Sequence, residues 1–215
     1  MFCKNKKQQN AFDSKRLDAS NINQYLSELY PQAKTKRAIK SKTIDMNYYI
    51  QDDYGSANDC TLTSLMTVLS YYLKYDRDEQ EIYDLVERIA KKYGYKNNGT
   101  NPFAIKRIYD AAAGQLGLST IIPTYSGYMK NIGYKFEKIM NLIDNKVPVI
   151  ISINNDGRNY YRNHSMTIIG YTIYRITLAD GQTINRRFLK VYDNWRSTFG
   201  YIDYEVLSSI SSINY

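Results

Sequence analysis

The chain holds one histidine, His164, and two cysteines, Cys3 and Cys60. A thiolate that attacks a carbonyl needs an imidazole to take its proton and later return it, so a chain with one histidine offers one candidate base. Cys60 follows Asp59 where an apolar helix is expected to open, and the backbone N–H groups of a helix start favour the thiolate. The neighbouring charge of Asp59 works the other way. Such an imidazole also needs an acceptor on its second nitrogen to fix tautomer and orientation. Asp193 stands in the right region, with Asn194 as the alternative. Acyl transfer further requires donors for a developing oxyanion, and the backbone N–H of Cys60 together with the side-chain amide of Gln51 could supply them. Each residue has a plainer reading by itself: a buried structural thiol, a satisfied histidine, an ordinary loop glutamine. The combination is what points to chemistry. One histidine and two distant cysteines exclude a conventional zinc site, and no cofactor is expected.

These groups need elements to hold them. From Asp59 to about Tyr75, Leu62, Leu65, Met66, Leu69 and Leu73 recur at helical spacing, and no charge interrupts Thr61 to Leu73. Asp59 is the expected cap. The spacing predicts a central helix covered on both sides, its second face being Ser64, Thr67 and Tyr71. The apolar stripe centres opposite Cys60, which turns the thiol toward a second lobe or a cleft. Glu79 to Tyr93 reads as an amphipathic helix. Asn101 and Pro102 open another, running to Gly114, and Phe136, Ile139, Met140 and Ile143 mark a further one. Ser20 to Tyr30 reads as a short helix capped by Ser20, with Met1 to Ala19 before it expected to lack structure.

Strands follow: Val147 to Ile153, then His164 to Thr177 and Thr183 to Tyr192 about a hairpin turn at Asp180 and Gly181. Strict pairing about that turn sets His164 nearer Ser197, so a meeting with Asp193 demands a bulge or an offset. Helices first and antiparallel strands afterwards predict an α+β fold with the helices on one side of a sheet.

The order of these parts resembles the papain-like cysteine peptidase superfamily, in particular its bacterial branch related to the double-glycine leader peptidases and, more distantly, the staphopains. The matching pieces are Gln51, then Asn58-Asp59-Cys60-Thr61-Leu62, then Lys146-Val147-Pro148-Val149-Ile150, then His164 through Tyr171, then Val191-Tyr192-Asp193-Asn194-Trp195. They span most of the chain. The resemblance implies a helical lobe packed against a twisted antiparallel sheet lobe, with the site between them. It assigns Gln51, Cys60, His164 and Asp193 to the oxyanion, nucleophile, base and orienting roles, and it implies a peptide or protein substrate. Thr61 and Asn194 depart from the pattern, which usually has Gly or Trp after the nucleophile and often Pro or Gly after the acid.

The formal charge of +8 is concentrated at the start, where Met1 to Lys42 holds ten Lys or Arg against three Asp or Glu. That leaves a nearly neutral body, so nucleic acid is not an expected partner. The division expected is a basic segment over 1–42 that is partly unstructured or pro-segment-like, and a catalytic domain over 43–215. Within that domain the helical lobe runs to about 146 and the sheet lobe from about 147. Both thiols are expected to be free and the chain monomeric. No run approaches the roughly 20 apolar residues of a membrane span, and Met1 to Asn10 lacks the apolar core of a signal peptide. Loops around Tyr93 to Thr100, Pro123 to Asn131 and Asn154 to Asn163 are expected to rim the substrate pocket. An acyltransferase or deamidase on the same scaffold, and a catalytically silent binding module, are the competing functions.

Overall fold

The structure is a computed structural model that describes residues 16–55, 58–96, 99–118, 126–128, 136–154, 160–161, 163–207 and 212–214. Its spine is a 14-residue strand, β4 (His164–Thr177). Before it along the chain come α1 (Ile22–Leu29), β1 (Thr35–Thr43), α2 (Cys60–Tyr72), α3 (Glu79–Lys92), α4 (Ile105–Gln115), β2 (Ser126–Tyr128), α5 (Phe136–Asp144) and β3 (Val149–Ile153). After it come β5 (Thr183–Tyr192), β6 (Gly200–Asp203) and β7 (Ser212–Asn214). The strands form one antiparallel sheet in the order β2-β7-β3-β4-β5-β6. β4 is long enough to hold two partners on its other edge. Its first half pairs with β3, from His164 opposite Ile153 to Ile168 opposite Val149, and its second half pairs with β1, from Gly170 opposite Thr43 to Thr177 opposite Thr35.

The hairpin of β4 and β5 starts in register, with Thr177 opposite Thr183 and Gly170 opposite Lys190. Then Ile168 faces Val191, so Ile169 is an extra residue on β4, a bulge. Carried on, that register sets Trp195 toward His164, one residue nearer Asp193 than the Arg196 of the unbroken register and two nearer than the Ser197 of strict pairing about Asp180 and Gly181. The irregularity that a meeting of His164 with residue 193 demands is therefore present.

Helix α2 is buried from Cys60 through Ser70. Its polar side chains tolerate this because they answer the helix's own carbonyls: Ser64 Oγ donates to the Cys60 oxygen and Thr67 Oγ1 to the Thr63 oxygen, both at 2.8 Å. Its apolar side, Leu62, Leu65, Met66 and Leu69, packs with Ile82, Val86 and Ile89 of α3 and with Ile105 and Ile108 of α4. α3 is capped by Asp78, whose carboxylate accepts from the Glu81 N–H. Asn101 likewise caps the 3₁₀ turn Pro102–Ala104 that leads into α4.

Helices are not confined to one side of the sheet. Ile150 of β3 packs with α2, α3 and α4, whereas its neighbours Val149, Ile151 and Ile153 pack with Phe136, Ile139 and Ile143 of α5. Successive strand residues point to opposite faces, so α5 covers the face that α2 leaves bare. Helical order along the chain carried no information about which face each helix takes.

Residues 1–15, where most of the segment expected to lack structure falls, lie outside the described residues, but residues 16–42 differ from expectation. Arg16 and Leu17 are buried, and the Tyr201 N–H donates to the Leu17 carbonyl. Leu17, Ile22 and Leu26 close over Ile176 and Phe188, and β1 completes the sheet, so residues 16–42 are part of the folded body. α1 begins one residue later than expected, after Asn21, which makes no side-chain cap. Ser20 instead donates its N–H to the Asp18 carboxylate.

Candidate active site

Cys60 is the first residue of α2 and is fully buried. The carboxylate before it does not cap the helix. Asp59 accepts instead from the hydroxyls of Tyr83, at 2.6 Å, and Tyr95. Two phenols therefore take up the negative charge that would otherwise disfavour a thiolate one residue away. A second set of contacts fixes the helix start against the sheet. Thr61 Oγ1 donates to Ser165 Oγ at 2.9 Å, and Ser165 is joined in turn to Ser152 of β3 at 2.8 Å. Asn194 donates its side-chain amide to the Cys60 carbonyl at 2.9 Å, with Ser64 Oγ and the Ser165 carbonyl as further acceptors.

His164 opens β4 and is also fully buried. Its Nε2 lies 2.7 Å from the backbone carbonyl oxygen of Asp193. A carbonyl oxygen only accepts, so Nε2 carries the proton, and in the neutral ring Nδ1 keeps the lone pair. The ring is also hydrogen-bonded to Cys60. Burial alone would push the imidazole's pKa down. The charge of Cys60, its hydrogen bond and the Asp193 carbonyl outweigh that and raise it above its ordinary value of 6.5. Trp195 stacks on the imidazole with ring centroids 4.1 Å apart, and Tyr161 stacks at 5.8 Å. These aromatics keep water from the histidine's hydrogen bonds.

The remaining candidates gather at the same place, by routes the sequence does not suggest. The Asp193 carboxylate, buried completely, accepts from Arg16 Nε at 2.6 Å, from the Tyr161 hydroxyl at 3.1 Å and from the Trp195 N–H at 3.2 Å. Asp193 thus reaches His164 through its main chain. Asn194, the alternative acceptor, acts as a donor to the start of α2. Its φ of 61° lies in the left-handed region, where asparagine is among the better tolerated side chains. Gln51 is buried in a 3₁₀ turn, Gln51–Asp53, and its N–H donates to the Asn194 carbonyl at 2.9 Å. One residue, Asn194, therefore ties the Gln51 loop, the Cys60 helix and the His164 strand together.

Sequence reasoning missed Arg16, Tyr161, Tyr83 and Tyr95, and gave Trp195 no role. The single Trp next to Asp193 and Asn194 was a usable signal; Arg16, 177 residues from its partner, left none. Of the loops expected to rim a pocket, residues 97–98, 123–125, 129–131, 155–159 and 162 lie outside the described residues. Among the described residues no helix is long and apolar enough to cross a membrane, and no cluster of His, Cys, Asp and Glu could hold a metal ion.

No curated protein and no solved structure matches the chain. The Peptidase_C39 like family matches residues 43–208, more than three quarters of the chain. An α+β body of helices and an antiparallel sheet is consistent with the papain-like fold of that family, and the chain belongs to the Peptidase_C39 like family, a papain-like cysteine peptidase family related to bacteriocin-processing peptidases.

Proposed function

We propose that the chain hydrolyses peptide bonds with Cys60 as nucleophile and His164 as its acid and base. The observation that carries this reading is the meeting of two fully buried groups, Cys60 at the first residue of α2 and the His164 ring it contacts, whose Nε2 is held 2.7 Å from the Asp193 carbonyl oxygen. In this mechanism the Cys60 proton passes to His164 Nδ1, giving a thiolate and an imidazolium held by the Asp193 carbonyl. The thiolate attacks the peptide carbonyl carbon, and the oxyanion accepts hydrogen bonds from the Cys60 N–H and the Gln51 amide. Nδ1 then protonates the departing amine as the C–N bond breaks, leaving a thioester. Water, losing its proton to the same Nδ1, attacks the thioester carbonyl, and the C–S bond then breaks to release the acid and return the Cys60 thiolate beside the imidazolium.

The reading is tested by the rate of Cys60 alkylation with iodoacetamide from pH 4 to 9, resolved by mass spectrometry, in wild type and His164→Ala. Cys3 serves as the internal control. Reaction of Cys60 well below the free-thiol pKa of about 8.5, lost in the variant, is the expected result. A Cys60 that tracks Cys3, or that His164→Ala leaves unchanged, sinks the mechanism. Given a reactive Cys60, release of free acid from a peptide library supports hydrolysis, whereas amide or isopeptide products assign the same site to acyl transfer.

A further inference from the structure

We propose that Arg16, which lies outside the family-matched region, is a positioning residue of this site: its guanidinium fork holds the 193–199 turn so that the Asp193 carbonyl and the Trp195 ring meet His164. The proposal rests on the Cys60–His164 reading above and adds a residue to it.

Three observations converge. First, the fork has two ends on one turn: Nε donates to Asp193 Oδ2 at 2.6 Å and Nη2 donates to the Thr198 carbonyl at 2.8 Å. Those contacts span the connection between β5 and β6, which carries two of the groups that touch the imidazole, the Asp193 carbonyl and the Trp195 ring. A planar guanidinium can bridge two acceptors in fixed geometry, which a lysine cannot. Second, the oxygen that Arg16 holds also accepts from Tyr161, whose ring stacks on His164 and on Trp195. Arg16, Asp193, Tyr161 and His164, all buried, therefore form one contiguous unit with the half-buried Trp195. Third, the backbone is shaped to admit the fork. A Cβ at Gly200 would stand 3.2 Å from Arg16 Nε and 3.1 Å from the Tyr161 hydroxyl, so a side chain there would press on both.

The segment that presents Arg16 is secured independently of it. Leu17 is bridged to Tyr201, Leu17, Ile22 and Leu26 pack on Phe188 and Ile176, and the Tyr25 hydroxyl donates to Asp203 at 2.6 Å. Substitution of Arg16 should therefore disturb the turn before it disturbs the fold. This gives the N-terminal segment a role opposite to that of a blocking pro-segment: it supplies a part of the working site.

The test compares wild type, Arg16→Met and Arg16→Lys by two readouts, the pH profile of Cys60 alkylation and the ring-proton shifts and titration of the single histidine by NMR. Melting temperature is recorded for each. For Arg16→Met the expectation is an acid limb displaced to higher pH, alkylation at pH 6 reduced about tenfold or more, and His164 ring shifts moved as Trp195 and Tyr161 relax. Arg16→Lys, which can satisfy one acceptor but not both, should fall between. Folded Arg16→Met with profile and ring shifts superimposable on wild type overturns the proposal. If Arg16→Met does not fold, Arg16→Lys decides, since wild-type behaviour there shows that the fork is dispensable. Failure of the Cys60–His164 reading is distinguishable, because it appears in wild type as the absence of low-pH reactivity, while the ring shifts still report whether Arg16 positions the turn.

Discussion

His164 and Asp193 meet through the main chain: Nε2 donates to the Asp193 carbonyl oxygen, while the carboxylate of the same residue faces away, toward Arg16 and Tyr161. Orientation of the imidazole and anchoring of the turn are thus separate jobs of one residue. A carboxylate and guanidinium this deeply buried are costly to unpair, because the survivor keeps its desolvation penalty. Asp193→Ala should destabilise the protein by about 3–5 kcal/mol. Arg16→Met combined with Asp193→Ala should recover much of that loss, since neither charge is then stranded. Urea unfolding of the two single variants and the double variant measures the coupling; additive losses would contradict it.

The histidine's charge state depends on its sulfur neighbour. In wild type the imidazole should titrate above 6.5, since the effects of Cys60 and Asp193 exceed that of burial. In Cys60→Ser the charge is gone and burial remains, so the midpoint should fall below the wild-type value. A folded-state pKa above the unfolded one stabilises fully below the unfolded pKa and loses that contribution as pH rises through the folded value. The stability advantage of wild type over Cys60→Ser should therefore shrink as pH rises past the wild-type midpoint. With one histidine in the chain, NMR titration reads the midpoint without ambiguity.

Tyr83 and Asp59 bear on the nucleophile from the other side. Tyr83→Phe removes one of two phenol donors to a buried carboxylate, at a cost of about 1–3 kcal/mol. It also leaves more negative charge beside Cys60, which should move the onset of thiol reactivity to higher pH. The alkylation profile of Tyr83→Phe should shift that way with the His164 ring shifts unchanged; an unshifted profile would show that the Asp59 charge does not reach the thiol.

Asn194 combines a left-handed backbone with a donor that three acceptors share. Asn194→Gly keeps the backbone freedom and loses the amide, while Asn194→Ala loses both. Expected losses are about 1–3 kcal/mol for Gly from the unsatisfied acceptors, and about 1 kcal/mol more for Ala from its strained φ. Thermal unfolding of the pair checks the order, and equal losses would mean that the backbone conformation carries no cost.

Much of this was legible in the sequence where the signal is local and periodic. α2 announced its two-sided burial by lacking charges, α3 was marked by its amphipathic stripe, and the β4–β5 hairpin by alternation about Asp180 and Gly181. The gathering of Gln51, Cys60, His164 and Asp193 was legible from the order of four short motifs. What was not legible depended on partners far along the chain. No local pattern says that Arg16 will pair with Asp193, that Asp59 will turn to Tyr83 and Tyr95 in preference to its own helix, or that α5 will take the opposite face of the sheet from α2. Position relative to the turn did signal a bulge, although it could not say that Ile169 would be the extra residue.

That extra residue makes β4 a strand of two phases. Ahead of it Met166 and Ile168 belong to the α5 side, and beyond it the same side is taken by Tyr171, while Ile176 lies with α1 on the other. Residues of equal parity along β4 therefore do not share a face, and the histidine end and the β1 end follow different rules of alternation. Loss of one residue at the bulge would restore a single parity and force a choice, either the α1 end keeping its packing while His164 turns to the wrong side, or the reverse. The tolerance of β4 to single-residue insertion and deletion should thus be lowest at residues 164–170, and the spacing from Asp180 back to His164 is as much a part of the site as the residues themselves.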